Sequence, residues 1–262
     1  NRQLSETLDL MLPLVDEALE IDPAFGFAHA LLGWAELERG DFAKARVDLA
    51  KAIELSRNDA KARMWLGGAL FADARPHEAL DELERALELD PLNFILHIRH
   101  ALVLDALGRH DAAVEAATRA VTLAPQHPNP RWTLALIATS RGDLQQAIGH
   151  YEAALALDPS RSDLRIQLAT LLLDVGRAAD AGRQLSDAAR LAQSSHAFLT
   201  AQAYSALLAG DQAELAAIAE SLASKASAAV AAALEGVVRR MSTYLDSSEL
   251  ARFNAAPAGK AV

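Results

Sequence analysis

The sequence predicts an all-α protein built as a stack of antiparallel helix pairs. Three observations carry that prediction. Of the 262 residues, 52% are hydrophobic and only 5% aromatic, and alanine and leucine supply most of the apolar load. That balance favours helix over sheet. Prolines recur at Pro23, Pro91, Pro125 and Pro159, separated by 68, 34 and 34 residues. Glycines recur in the same register at Gly40, Gly108, Gly142, Gly176 and Gly210, broken only by Ala74. A fixed period of this length marks a repeat architecture.

Other columns keep the period. Ala18, Ala52, Ala86, Ala120, Ala154 and Ala188 lie five residues before each proline point. Ile21, Leu55, Leu89, Leu123, Leu157 and Leu191 lie two before it. Ala45, Ala79, Ala113, Ala147 and Ala181 form a further column. Gly33 and Gly67 continue as Ala101, Ala135, Ala169 and Ala203. The glycine column falls between two apolar-periodic segments, where a helix stops on a left-handed residue. Small columns let two helices approach closely, leucine columns fill their seam, and the proline ends the second helix.

The elements follow in order from this register. A leading partial repeat covers 5–23, where Pro13 kinks or restarts a helix. Full helix pairs are expected at 26–59, 60–93, 94–127, 128–161 and 162–195. A degenerate pair covers 196–225, where Leu215 and Leu222 replace the expected alanines. A capping helix at 226–250 buries Val230, Leu234, Val237, Val238 and Met241. The tail 251–262 is expected to be disordered. Residues 1–250 form one solenoid, because each repeat touches only its neighbours.

The segment 60–93 resembles the tetratricopeptide repeat family, with Leu66, Gly67, Ala79, Leu83, Ala86 and Pro91 at the family's L-G, A, aromatic-or-leucine, A and P positions. The resemblance covers residues 5–222. It departs at the family's leading Trp, which is His29, Arg63, His97, Arg131 or Arg165, and at its first-helix Tyr, which is Glu36, Leu70, Leu104, Ala138 or Leu172. It implies a right-handed superhelical α-solenoid whose first helices line a concave surface. Chaperone-binding members grip a C-terminal carboxylate there with Lys and Asn. The matching positions hold Ala30, Met64, Ile98, Trp132 and Ile166, with Trp34, Gly68, Leu102, Leu136 and Thr170 beside them, so that clamp is absent.

Composition excludes several functions. Without cysteine there is no disulfide framework, thiolate zinc site or Cys nucleophile. A net charge of −10 argues against non-specific nucleic-acid binding, which needs a surplus of cations. The longest uncharged apolar run, Ala226 to Leu234, is too short to span a bilayer. The chain begins at Asn1 without a basic segment leading into an apolar one, which favours the cytoplasm over the periplasm and reads as a segment of a larger protein. Arginine outnumbers lysine 20 to 5, which with the alanine content suggests a bacterial source.

No catalytic motif is present, and neither an enzyme nor a cofactor is expected. Asp81, Glu82, Glu84 and Glu88 read as a solvated outer face. His97 and His100 share a helix face, but a metal needs a third ligand and none is spaced to reach them. His100 stands in the column of Leu32, Leu66, Leu134 and Leu168, which reads as a polar substitution in the core with a local partner.

The first-helix stripe, placed at 100° per residue, is unusually apolar. Trp34, Met64, Phe71, Ile98, Leu102, Trp132, Leu136, Ile166 and Tyr204 are the candidate partner-binding residues, in competition with plain packing between adjacent first helices. His29, Arg63, His97, Arg131 and Arg165 flank them as a column of cations. Their stems cover the helix junction and reach local carboxylates, or else they orient an acidic flank of a ligand. The expected function is a scaffold that takes a peptide or protein segment in an apolar groove. The alternative is a structural module in which Trp34, Met64 and Phe71 meet a second copy as a homodimer.

Overall fold

The computed structural model describes residues 2–191. Among them are eleven α-helices and no strand. The elements are α1 (Arg2–Ile21), α2 (Gly26–Arg39), α3 (Phe42–Leu55), α4 (Ala60–Ala72), α5 (Pro76–Leu89) and α6 (Phe94–Ala106), then α7 (His110–Leu123), α8 (Pro128–Ser140), α9 (Leu144–Leu157), α10 (Ser162–Asp174) and α11 (Ala178–Leu191). The chain divides into two compact units, one ending at Asp158 and one beginning at Pro159. The expected degenerate pair, capping helix and tail lie outside the described residues, as does Tyr204.

In the first unit α2 packs on α3, α4 on α5, α6 on α7 and α8 on α9. Each second helix also packs on the next first helix, α3 on α4, α5 on α6 and α7 on α8. Successive first helices meet as well, α2 with α4, α4 with α6 and α6 with α8, so they form one layer. In the second unit α10 packs on α11 across fully buried Ala169, Leu168 and Leu185.

The small columns sit where two helices cross. Ala45, Ala79, Ala113, Ala147 and Ala181 are all fully buried. At Gly33 a Cβ would lie 2.5 Å from Leu49 Cγ, and at Gly67 it would lie 2.8 Å from Leu83 Cγ. The following pair solves the same contact with different volumes, Ala101 facing into the column of Ala117. Close packing leaves no slack at such a crossing.

First helices are entered through side-chain caps where the sequence allows. Asp59 accepts from the Ala62 N–H at 2.9 Å, and Asn93 from Ile95 and Leu96. They leave through left-handed turns at Gly40 (φ 81°), Gly108 (74°), Gly142 (76°) and Gly176 (77°). Each turn closes a bond back to the last helical turn, as Asp41 N–H does to Glu36 O at 2.9 Å. Ala74 takes the same conformation at φ 56° and closes the same bond, Arg75 N–H to Leu70 O at 2.9 Å. A Cβ in that region costs about 1–2 kcal/mol, partly offset by the greater freedom of glycine when unfolded. Ala74→Gly is therefore expected to stabilise by about 0.5–1 kcal/mol, measurable by urea unfolding. An unchanged or lower midpoint would contradict this account of the turn.

Pro13 does not break α1, which runs unbroken from Arg2 to Ile21. Leu8 and Val15 lie seven residues apart on one face, on either side of the proline, and both are buried. That shared anchoring holds the helix together despite the missing N–H.

Candidate partner-binding face

The first-helix layer of the first unit carries the candidate residues in two different ways. Phe27, Phe71 and Ile95 are exposed, Phe71 at 37%. Trp34, Leu102 and Leu136 are half-buried. Met64 and Ile98, expected to meet a partner, are only 8% exposed. Met64 belongs to a hydrophobic cluster with Leu70, Leu83 and Leu96. Both correct the sequence expectation: adjacent first helices approach closely enough to consume these positions. Trp132 is half-buried, and its indole N–H hydrogen-bonds the Tyr151 phenol on α9. Burial pushes that phenol up to about 12 against this bond. Trp132 is thus partly committed to its own helix pair. Ile166 is half-buried on α10, in the second unit.

The cation column is also largely consumed. His29 Nε2 lies 3.0 Å from Pro23 O, and His97 Nε2 lies 3.0 Å from Pro91 O. Arg63 donates to Glu82 at 2.6 Å and to Arg57 O at 3.0 Å. Arg165 donates to Pro159 O at 3.0 Å and to Gln184 at 2.8 Å. Arg131 stands beside His150, whose ionisation burial and the Arg131 charge both disfavour. Arg63 and Arg165 thus tie their first helices to the preceding turn and to their own second helices, and His29 and His97 tie theirs to the preceding turn. Four of the five, His29, Arg63, His97 and Arg165, therefore turn toward the junction instead of standing as free cations on the open face.

The electrostatic focus of the face is a residue that the sequence reading passed over. Arg99 on α6 reaches back across α4, with Nη1 2.9 Å from the point where a Gly68 Cβ would lie and Leu37 on α2 nearby. Its Nε is buried without a hydrogen-bond partner, and among the described residues no ion pair forms with it. Burial holds the guanidinium below the usual arginine range, with Glu38 acting the other way. Glu38 is itself engaged by the Trp34 indole N–H at 3.1 Å. Trp34 stacks on Trp65 with ring centroids 6.0 Å apart at 25°, and Lys61 Nζ lies 5.6 Å from the Trp65 ring. The signal was present in the sequence. Arg99 is the lone charge in the column Leu31, Trp65, Arg99, Thr133 and Gln167, and Gly68 one repeat earlier leaves the room it occupies.

Among the described residues no three His, Cys, Asp or Glu side chains gather as a metal site, and no helix is long and apolar enough to cross a membrane. His100 differs from expectation. Its Nε2 is buried without a hydrogen bond, and Glu84 Oε1 stands 3.8 Å away.

These features define an α-solenoid of helix pairs, with the first helices of the first unit aligned as one layer. Family models described as tetratricopeptide repeat match at residues 30–94, 69–128 and 98–162, and again at 138–209. The chain belongs to the tetratricopeptide repeat family, whose members are protein–protein interaction scaffolds and in general non-catalytic. It is 32% identical over 112 residues to the Hsp70-Hsp90 organizing protein of Triticum aestivum, covering 43% of this chain and 19% of that protein. It is 26% identical over 147 residues to the type IV pilus assembly protein PilF of Pseudomonas aeruginosa, covering 55% of this chain and 58% of that one. The chain thus spans less than two thirds of either relative. Among solved structures, Pseudomonas aeruginosa pilF superposes with TM-score 0.61 at 22% identity, over 82% of this chain and 98% of that one. A thermophilic repeat protein of Thermus thermophilus superposes at 0.58 with 26% identity, over 66% and 96%.

Proposed function

We propose that the first-helix layer of α2, α4 and α6 docks a protein or peptide segment that presents a carboxylate beside an apolar side chain. Arg99 is the observation that carries this reading. Its Nε is buried without a hydrogen bond while the side chain as a whole is half-buried, and a carboxylate that accepts from the guanidinium in bidentate geometry offsets the cost of that partial desolvation. The flanking surface supports the apolar half of the segment, since Phe27, Phe71 and Ile95 are exposed on the same helices. Lys61 adds a second positive charge near the Trp34–Trp65 stack. The larger assembly that this scaffold serves, envelope or regulatory, belongs to the same proposal.

The test is selection from a displayed random-peptide library against the wild-type chain. Selected peptides are expected to enrich Asp or Glu next to an aromatic or aliphatic residue. Arg99→Leu is expected to weaken them by at least tenfold, the scale of removing one partner of a desolvated charge pair. Peptides without acidic enrichment, or equal affinity for Arg99→Leu with its helical content intact, would overturn the reading.

A further inference from the structure

An open concavity lies at the junction of α5, α6 and α7, with a volume of about 490 Å³. Its walls include His100 from α6, Arg109 from the following turn and Arg119 from α7. The repeat provides an internal control. One repeat earlier, at the junction of α3, α4 and α5, a smaller cleft of about 370 Å³ occupies the equivalent place. There the cations are neutralised by the protein. Arg75 donates two bonds of 2.6 Å to Glu78, and Arg85 donates to Glu82 at 2.7 Å.

Moving 34 residues along the chain keeps both cations and removes both partners. Arg75 becomes Arg109 and Arg85 becomes Arg119, while Glu78 becomes Ala112 and Glu82 becomes Ala116. No hydrogen bond or ion pair forms to either the Arg109 or the Arg119 side chain among the described residues. In the same cleft Leu66 becomes His100, whose Nε2 is buried and unsatisfied. Three changes in one cleft thus uncover hydrogen-bond donors and open volume. Burial lowers the His100 pKa from its ordinary value, opposed by Glu84 and aided by His97 and Arg109. A neutral imidazole still offers one N–H. Leu87, Leu104 and the two new alanines supply an apolar floor. Two acids also line the cleft: Glu115 keeps the place of Asp81, and Glu84 takes the place of Ala50 and stands 3.8 Å from His100 Nε2. Both are exposed, so water and salt weaken their competition for the arginines.

We propose that this cleft binds a small organic oxyanion, a carboxylate or phosphate compound, held between Arg109 and Arg119 with its apolar body against Leu87 and Leu104. The site lies apart from Arg99, Trp34 and Lys61, and shares only the flanking His97 with the partner-binding face.

The experiment is titration of the ¹⁵N-labelled chain with inorganic phosphate and, separately, with succinate, at ionic strength held constant with chloride. Saturable shifts at the amides of residues 109–122 and of His100 are expected for at least one of them. Saturation by phosphate alone assigns a phosphate ligand, and by succinate alone a carboxylate. The double variant Ala112→Glu/Ala116→Glu restores the acids of the preceding repeat and is expected to weaken binding at least tenfold. Arg119→Gln, at an exposed position, is expected to do the same without touching the fold. Non-saturating shifts for both probes, equal shifts at residues 75–85, or unchanged affinity in Arg119→Gln would each overturn the proposal.

Discussion

Leu83→Ala is expected to destabilise the first unit by about 2–5 kcal/mol, among the largest effects of any single substitution. Leu83 is fully buried at the crossing of α4 and α5, with Gly67 beneath it. Truncation removes the apolar contacts and leaves a cavity that neighbouring helices fill only in part. Gly67→Ala alone is expected to destabilise as well, by about 1–3 kcal/mol, because its methyl lands 2.8 Å from Leu83 Cγ. Placed together, the two substitutions should compensate. The new methyl enters the new cavity, and alanine is the better helix former by about 1 kcal/mol. The double variant then reproduces the Ala101 and Ala117 combination of the following pair. Urea unfolding of all four proteins measures the coupling. Strictly additive losses would show that the contact is not the one described.

Glu82→Ala is expected to destabilise by about 2–4 kcal/mol, which is large for an ion pair. Exposed pairs contribute about 0–1 kcal/mol, but the Arg63 and Glu82 side chains are only 13% and 14% exposed. Glu82 also accepts from Arg85 at 2.7 Å. Its removal strands the Arg63 guanidinium between helices with only the Arg57 carbonyl as acceptor. The paired variant Arg63→Leu/Glu82→Leu removes the stranded charge and is expected to recover most of the loss, since apolar replacements often match a buried pair. Thermal unfolding at low and high salt distinguishes this from a surface effect. A loss that vanishes in high salt would mean that the pair is solvated.

The repeat was legible because its cause is local. Proline, left-handed glycine and small crossing residues each answer a backbone demand that recurs every 34 residues, so helix pairs could be placed from spacing alone. Side-chain direction across the layer was not legible in the same way. Met64 and Ile98 lie on the angular stripe that would face a ligand, yet the separation of adjacent first helices buries them. Helix angle cannot report that separation. Arg63, His97 and Arg165 sit at the edge of the stripe, but turn carbonyls at 3.0 Å draw them into the junction. Those acceptors come from the preceding turn, invisible to a column taken helix by helix. Arg99 was missed for the converse reason. Its setting is created by an absent side chain at Gly68, on another helix and one repeat away.

The chain has three tryptophans, and two of them, Trp34 and Trp65, are the stacked indoles of α2 and α4. At a centroid separation of 6.0 Å their electronic transitions couple, and Glu38 on the Trp34 N–H fixes the mutual angle. Trp132 is anchored elsewhere, to Tyr151. The molecule therefore carries an unlabelled optical gauge: near-ultraviolet circular dichroism and emission report on the α2–α4 surface against a steady background from α8. A ligand that draws Glu38 away from the Trp34 N–H is expected to turn that pair of indoles, and the spectrum is expected to register its arrival in real time.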